Sequence, residues 1–410
     1  MDRPTCNDRI YMKVGKRLTN QEDYLYWKLI HSLFIDGYRI LNISEDQTEI
    51  WLENFSHRKL PIIRIKRKDI DWANWIKQDI KRTCMNGEMI RKRFLKRNLT
   101  CLNIYISTYP PVDSYQDLFT RSFQIDKTKT VVRNILFTGR HLMDSIFQIT
   151  NLYGKDLFGS IKQEYDLYEV DLIRRDCLAL FHGAEKKEKQ LLNRTNPFFT
   201  YLFLSIQLLV FFLMELAGGS LNPNVLISFG AKSNEYIIEG EWWRFITPMF
   251  IHIGFIHLLF NSLALYYLGS MVERIYGKAR FFIIYLLAGF LGTVSSFIFN
   301  YHISAGASGA IFGLFGALLY FGLVHKRTFF RTIGVNIIGL IVINLVLGFV
   351  IPGIDNAGHI GGLIGGFLAA GVVHLPQNQS SHQRLMFIVI TLLLITGCLY
   401  YGYTYPKLLY

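Results

Sequence analysis

The 410-residue sequence is poor in cysteine, with five: Cys6, Cys84, Cys101, Cys177 and Cys398. No two are spaced C-x-x-C and the number is odd. Neither a disulfide framework nor a zinc–thiolate site is expected, and four thiols before residue 195 suit a reducing compartment. The first twenty residues, MDRPTCNDRIYMKVGKRLTN, lack the apolar stretch of a signal peptide, so none is expected. There is no HExxH, which argues against a zinc protease. No zinc-finger, RNP or helix-turn-helix pattern accompanies the net charge of +13, so no nucleic-acid partner is expected. Internal repeats and low-complexity tracts are also missing.

Apolar residues are abundant and unevenly placed. Only ten of the 44 Lys/Arg and six of the 31 Asp/Glu follow Thr195, which leaves +9 on the first part and +4 on the rest. The later part holds apolar runs at 198–217, 248–270, 279–299, 308–324, 331–351, 358–375 and 385–404. Runs of that length suit membrane-spanning helices. Lys and Arg crowd the connections after the second, fourth and sixth runs: Arg274, Lys278, Arg280, Lys326, Arg327, Arg331 and Arg384. The other connections hold Lys232, Arg244 and Lys407. The asymmetry predicts a cytoplasmic N-terminal domain and an extracytoplasmic C-terminus in a multi-pass cell-membrane protein. The lipid bilayer is one expected partner.

This topology brings polar groups from three runs to one depth. The second begins HIGFIHLLFN, with His252, His257 and Asn261; the fourth begins at Ser308; the sixth begins GHIGGLIGG, with His359. Ionisable groups inside a membrane are costly and usually functional. Gly309 and Gly313 on the fourth run can pack against Gly358, Gly362 and Gly366 on the sixth, with Gly361 and Gly365 beside them, because small residues four apart let helices approach closely. Ser308 and His359 would then meet at the outer end of the seam. A serine hydroxyl needs such a base to become a nucleophile. An acyl-transfer intermediate would need donors for its oxyanion, and His257, Asn261 and the Ser308 amide are placed to supply them. His252 and His257, five apart, would sit poorly for one metal on a helix face. Asp355, four residues before His359, reads as a solvated loop residue rather than the acid of a triad.

Together these residues resemble the rhomboid family of intramembrane serine proteases, over about 197–404. GASG (Gly306–Gly309) matches its G-x-S-G, HIGFIHLLFN its H-x-x-x-x-H-x-x-x-N, and His359 with Gly362 and Gly366 its last motif. Trp243 and Arg244, in EWWRFITP, match its first-loop W-R pair, and Glu273 with Arg274 its acidic turn. The resemblance implies a bundle of six core spans plus a seventh, and a Ser308–His359 dyad without an acid or a cofactor. It implies His257, Asn261 and Gly306 around the oxyanion site, His252 in support, and Phe312 against the catalytic ring where the family places an aromatic. Substrates would be transmembrane proteins, entering between the fifth span and the start of the second and cut near the outer surface. A large N-terminal domain resembles Gram-positive members, many of which continue into TPR-like repeats, whereas this sequence stops at Tyr410. A catalytically silent binder with the same fold, or a transporter, stays open; a transporter would more often show paired half-repeats.

The first part reads as an α/β domain over 1–180, followed by a charged helical linker at 181–197, the membrane domain at 198–404 and a tail at 405–410. YLYWKLIHSLFIDGY has helical spacing; YRILNI, TEIWLEN and LPIIRIKR read as strands; a basic helix and the strand CLNIYIST follow. The order resembles a restriction-endonuclease-like core. Its third strand carries Arg64-Ile65-Lys66 where a nuclease would need a carboxylate, so a degenerate core that binds a regulatory ligand or partner is expected.

Overall fold

The computed structural model describes residues 20–162, 164–376 and 380–405, without the side chain of Arg140. Cys6 and residues 406–410 of the expected tail lie outside them. The chain divides into two compact units, Met1–Lys186 and Lys187–Tyr410.

In the N-terminal unit the elements are α1 (Asn20–Ile35), β1 (Arg39–Ile43), β2 (Glu49–Glu53), β3 (Ile62–Arg67), α2 (Ala73–Arg93), β4 (Leu99–Ile106), β5 (Thr130–Phe137), α3 (Leu142–Tyr153) and most of α4 (Leu167–Leu192), whose last residues belong to the second unit. The sheet order is β1-β2-β3-β4-β5, antiparallel from β1 to β3 and parallel from β3 to β5. Short turns suffice for the antiparallel pairs; at β1–β2, Asp46 accepts hydrogen bonds from Ser44 and Thr48. The parallel β3–β4 pair needs a crossover, which α2 provides. Side chains alternate across β3. Ile63 and Ile65 join the main core with Leu29, Ile30, Leu52, Leu102 and Phe137, while Arg64 and Lys66 project to the other face.

On that face Arg64, 2% exposed, is the hub of an ionic network. It donates to Glu49 (2.8 Å), Asp79 (2.5 Å), Thr83 (2.9 Å) and Asn103 (2.9 Å). Lys66 also bridges Glu49 and Asp79, and Tyr105 donates to Asp79. Burial would raise the Glu49 carboxyl, but Arg64 and Lys66 overcome it and hold it down to about 2.

In the C-terminal unit, α5 (Phe199–Leu216), α6 (Phe255–Tyr276) and α7 (Lys278–Phe299) are each long and apolar enough to cross a membrane. The helix α8 (Ser308–Val324) is apolar but shorter. Next, α9 (Lys326–Thr332) and α10 (Gly334–Val350) meet at a 74° bend and qualify only as a pair. The helices α11 (Asn356–Val373) and α12 (Ser381–Thr404) again qualify singly.

Two boundaries depart from the sequence reading. The second apolar run begins as a helix at Phe255, not 248, because Thr247–Phe250 forms a separate 3-10 turn and Gly254 takes a positive φ of 75°. Its helix continues to Tyr276, through a π turn at Leu265–Gly269. The fifth run is helical from Gly334, with the bend before it. Phe281, Tyr285, Leu314, Leu318 and Phe321 are among the residues that fill the core of this unit. Glu273, wholly buried, accepts from the amides of Phe198, Phe199 and Thr200 and from the Thr200 hydroxyl. A carboxylate there satisfies the donors at the start of α5 that no helix can satisfy for itself.

Candidate active site

The helix α11 lies against both α7 and α8. A Cβ added at Gly362 would fall on the backbone of Gly309, and one at Gly366 on the backbone of Gly313. This is the seam expected between those residues, and it exists because neither helix carries a side chain there. A second seam was not anticipated. Gly361 and Gly365 face Leu291 and its neighbours on α7, and a Cβ at Gly292 would lie 2.9 Å from the Gly358 carbonyl oxygen. The doubled glycines of GHIGGLIGG thus serve two neighbours at once.

The seam brings the starts of α8 and α11 together. Ser308 is the first residue of α8, and His359 lies one turn into α11. Ser308 Oγ and His359 Nε2 are 2.9 Å apart. Phe312 stacks on the imidazole, with centroids 4.2 Å apart and planes 14° from parallel. His359 is 8% exposed, and its Nδ1 has no hydrogen-bond partner among the described residues. A hydroxyl donating to an imidazole nitrogen at this distance is within reach of proton transfer.

Residues 304–307 deliver Ser308 to this point, and α6 with its approach holds them. The Gly306 amide donates to the Pro248 carbonyl (2.9 Å), and the Ala307 amide to His252 Nε2 (3.3 Å). Gly306 has φ 141°, and a Cβ there would lie 2.6 Å from His257 Cε1. Only glycine allows that backbone with the His257 ring so close. His257 therefore stands beside the loop that leads to Ser308. Asn261 Nδ2 donates to the His257 carbonyl one turn back, at 2.9 Å, which occupies one of its two N–H groups. His252 lies ahead of α6 rather than on it, so counting helical positions between it and His257 does not apply; the rings meet edge to face at 5.4 Å.

Asp355 requires a correction. It is half-buried rather than solvated, and it caps α11: Oδ1 accepts from the Gly358 amide (2.9 Å), and Oδ2 accepts from Ser304 Oγ (2.8 Å) and Ser296 Oγ. Arg244 is buried and donates to the carbonyls of Ile227 and Ala231, both at 2.8 Å, and to Glu241, while Trp243 remains 42% exposed. These contacts place Arg244 in the fold of the loop between α5 and α6. Among the described residues no three His, Cys, Asp or Glu side chains gather to hold a metal.

The family model for the rhomboid domain matches residues 239–376. The rhomboid protease GluP of Bacillus subtilis (strain 168) is 40% identical over 389 residues, which cover 94% of this chain and 76% of the relative. RHOMBOID-like protein 7 of Arabidopsis thaliana is 45% identical over 170 residues, 40% of this chain and 54% of that protein. RHOMBOID-like protein 4 of the same plant is 32% identical over 192 residues, 42% of this chain and 48% of that protein.

Proposed function

Because the chain belongs to the rhomboid family, and is thus an intramembrane serine protease acting on transmembrane proteins, we propose that Ser308 is its nucleophile and His359 its general base. The observation that carries this reading is the 2.9 Å contact between Ser308 Oγ and His359 Nε2. His359 takes the hydroxyl proton as Ser308 attacks the scissile carbonyl carbon. The same nitrogen then gives that proton to the leaving amide nitrogen, and a water repeats the cycle on the acyl-enzyme. Phe312 fixes the plane of the ring by stacking.

The Ser308 amide, at the first position of α8, lacks an intrahelical acceptor and can face the oxyanion. His257 is the second donor, and the remaining N–H of Asn261 the third. Gly306, Gly309, Gly313, Gly362 and Gly366 let these groups converge, and His252 steadies the loop before Ser308; Trp243 and Arg244 shape the loop between α5 and α6, and Glu273 holds the start of α5.

The five long apolar helices, the bent α9–α10 pair and the shorter α8 support seven spans, and the Lys/Arg asymmetry supports an orientation with the N-terminal unit cytoplasmic, the C-terminus outside and the dyad near the outer surface. Substrate would enter beside α10 and the start of α6. For the N-terminal unit we infer a degenerate restriction-endonuclease-like core that serves as a regulatory binding domain. Its antiparallel-then-parallel sheet supports this, as does Arg64, which satisfies Glu49 and Asp79 where a nuclease would expose carboxylates.

Ser308→Ala, reconstituted in liposomes with a single-span substrate, should abolish cleavage and leave the melting midpoint unchanged. Cleavage that persists in the variant would remove Ser308 from this role.

A further inference from the structure

The loop between α7 and α8 is held by two charged residues that the reaction does not use. Lys232, wholly buried between α5 and α6 in sequence, donates from Nζ to the carbonyls of Asn300 and His302. Its backbone exchanges two hydrogen bonds with Ser304, at 2.9 and 3.1 Å. Ser304 Oγ donates to Asp355 Oδ2 (2.8 Å), and Asp355 Oδ1 accepts from the Gly358 amide, next to His359. One continuous path therefore runs from Lys232 through Ser304 and Asp355 to the turn that carries His359, and Ser304 lies four residues from Ser308.

Removing a carboxylate and an ammonium from water is costly, and apolar residues could fill the same space. What the charges add is direction. Lys232 bonds two backbone carbonyls, and Asp355 bonds one backbone amide and two serine hydroxyls; hydrogen bonds to charged groups are the strong ones. Burial lowers the Lys232 ammonium to about 8, with Asp355 acting against that shift.

We propose that Asp355 is a positioning residue for the dyad: with Lys232 it clamps residues 300–304 and thereby sets the Ser308–His359 separation. The proposal rests on the dyad reading. It differs from a triad, since Asp355 is bonded to Ser304, Ser296 and Gly358 and not to the imidazole.

The test uses full-length protein in liposomes with a single-span substrate. Asp355→Ala should lower kcat by about 10- to 100-fold, the scale of a small misplacement of reacting groups. KM should stay within about twofold, because the substrate surface is untouched. Asp355→Asn keeps an acceptor for Gly358 and a polar partner for the two serines, so it should restore kcat to within a fewfold. Ser304→Ala removes one hydroxyl and little else, and guards against misfolding of the other variants. It should lower kcat about tenfold, and Ser304→Ala with Asp355→Ala should be no slower than Asp355→Ala alone. Three results would overturn the clamp: wild-type kcat in Asp355→Ala, losses that multiply in the double variant, or Asp355→Asn as slow as Asp355→Ala. Activity in Ser308→Ala would instead overturn the dyad, whatever the Asp355 series gives.

Discussion

Phe312 and His359 form a parallel pair, and the stack fixes the imidazole about the axis that points Nε2 at Ser308. The ring needs only a flat apolar neighbour, so Phe312→Tyr should keep kcat within about twofold. Phe312→Ala frees the ring and should cost about tenfold in kcat, within the range of a misplaced catalytic group; steady-state cleavage of a single-span substrate measures both. The oxyanion donors form a second set. Truncating His257 to Ala should lower kcat by about 10²-fold with KM nearly constant, the signature of a donor used in the transition state. A rise in KM with kcat unchanged would move His257 to substrate binding. At this scale the sequence was informative. Ser308, His359 and His257 stand out as polar groups inside apolar runs. Lys232 and Ser304 did not, because a lone lysine in a loop and a serine among small residues look like ordinary surface.

At the scale of elements, glycine spacing decides which helices touch. Gly366 meets the backbone of Gly313, whereas Gly339 on α10 has open space where a Cβ would go. Gly366→Leu should therefore part α8 from α11, lowering the melting midpoint and abolishing cleavage. Gly339→Ala should leave both intact, and equal damage from the two would contradict the packing. The α8–α11 seam was legible because glycines four apart on two runs imply one close contact. The contact with α7 was not, because paired glycines do not say which neighbour each faces. The second apolar run was placed too early, since hydropathy does not register the turn at Pro248 or the break at Gly254. It also ended too soon, because Glu273 looks like a solvated charge until its three amide partners are seen. The strand β5 went unnoticed because Arg133 and Asn134 interrupt TVVRNILF.

For the whole molecule, the ionic network of the N-terminal unit links pH to stability. Glu49 in the folded chain lies at about 2, below its ordinary 4.5; Asp79 is lowered as well. Their contribution is therefore complete above about 4.5 and is lost as pH falls through the folded value. The protease resistance of residues 20–186 in the full chain should hold from pH 7 to 5 and decline below about 4.5. Arg64→Met should cost about 3–5 kcal/mol at pH 7, because the buried Asp79 and the partly buried Glu49 lose their shared partner. That loss should shrink as pH falls and the carboxylates protonate. Four of the five strands were readable from periodicity and the membrane helices from long apolar runs, but the role of this unit was not, because binding sites on an α/β core depend on side chains brought together only by folding. The most direct measurement of the central claim is the mass of the full-length protein after treatment with a fluorophosphonate in liposomes. A single adduct on Ser308, absent from Ser308→Ala and lost or greatly slowed in His359→Ala, is the predicted result; an adduct elsewhere, or labelling of Ser308 at the wild-type rate without His359, would contradict it.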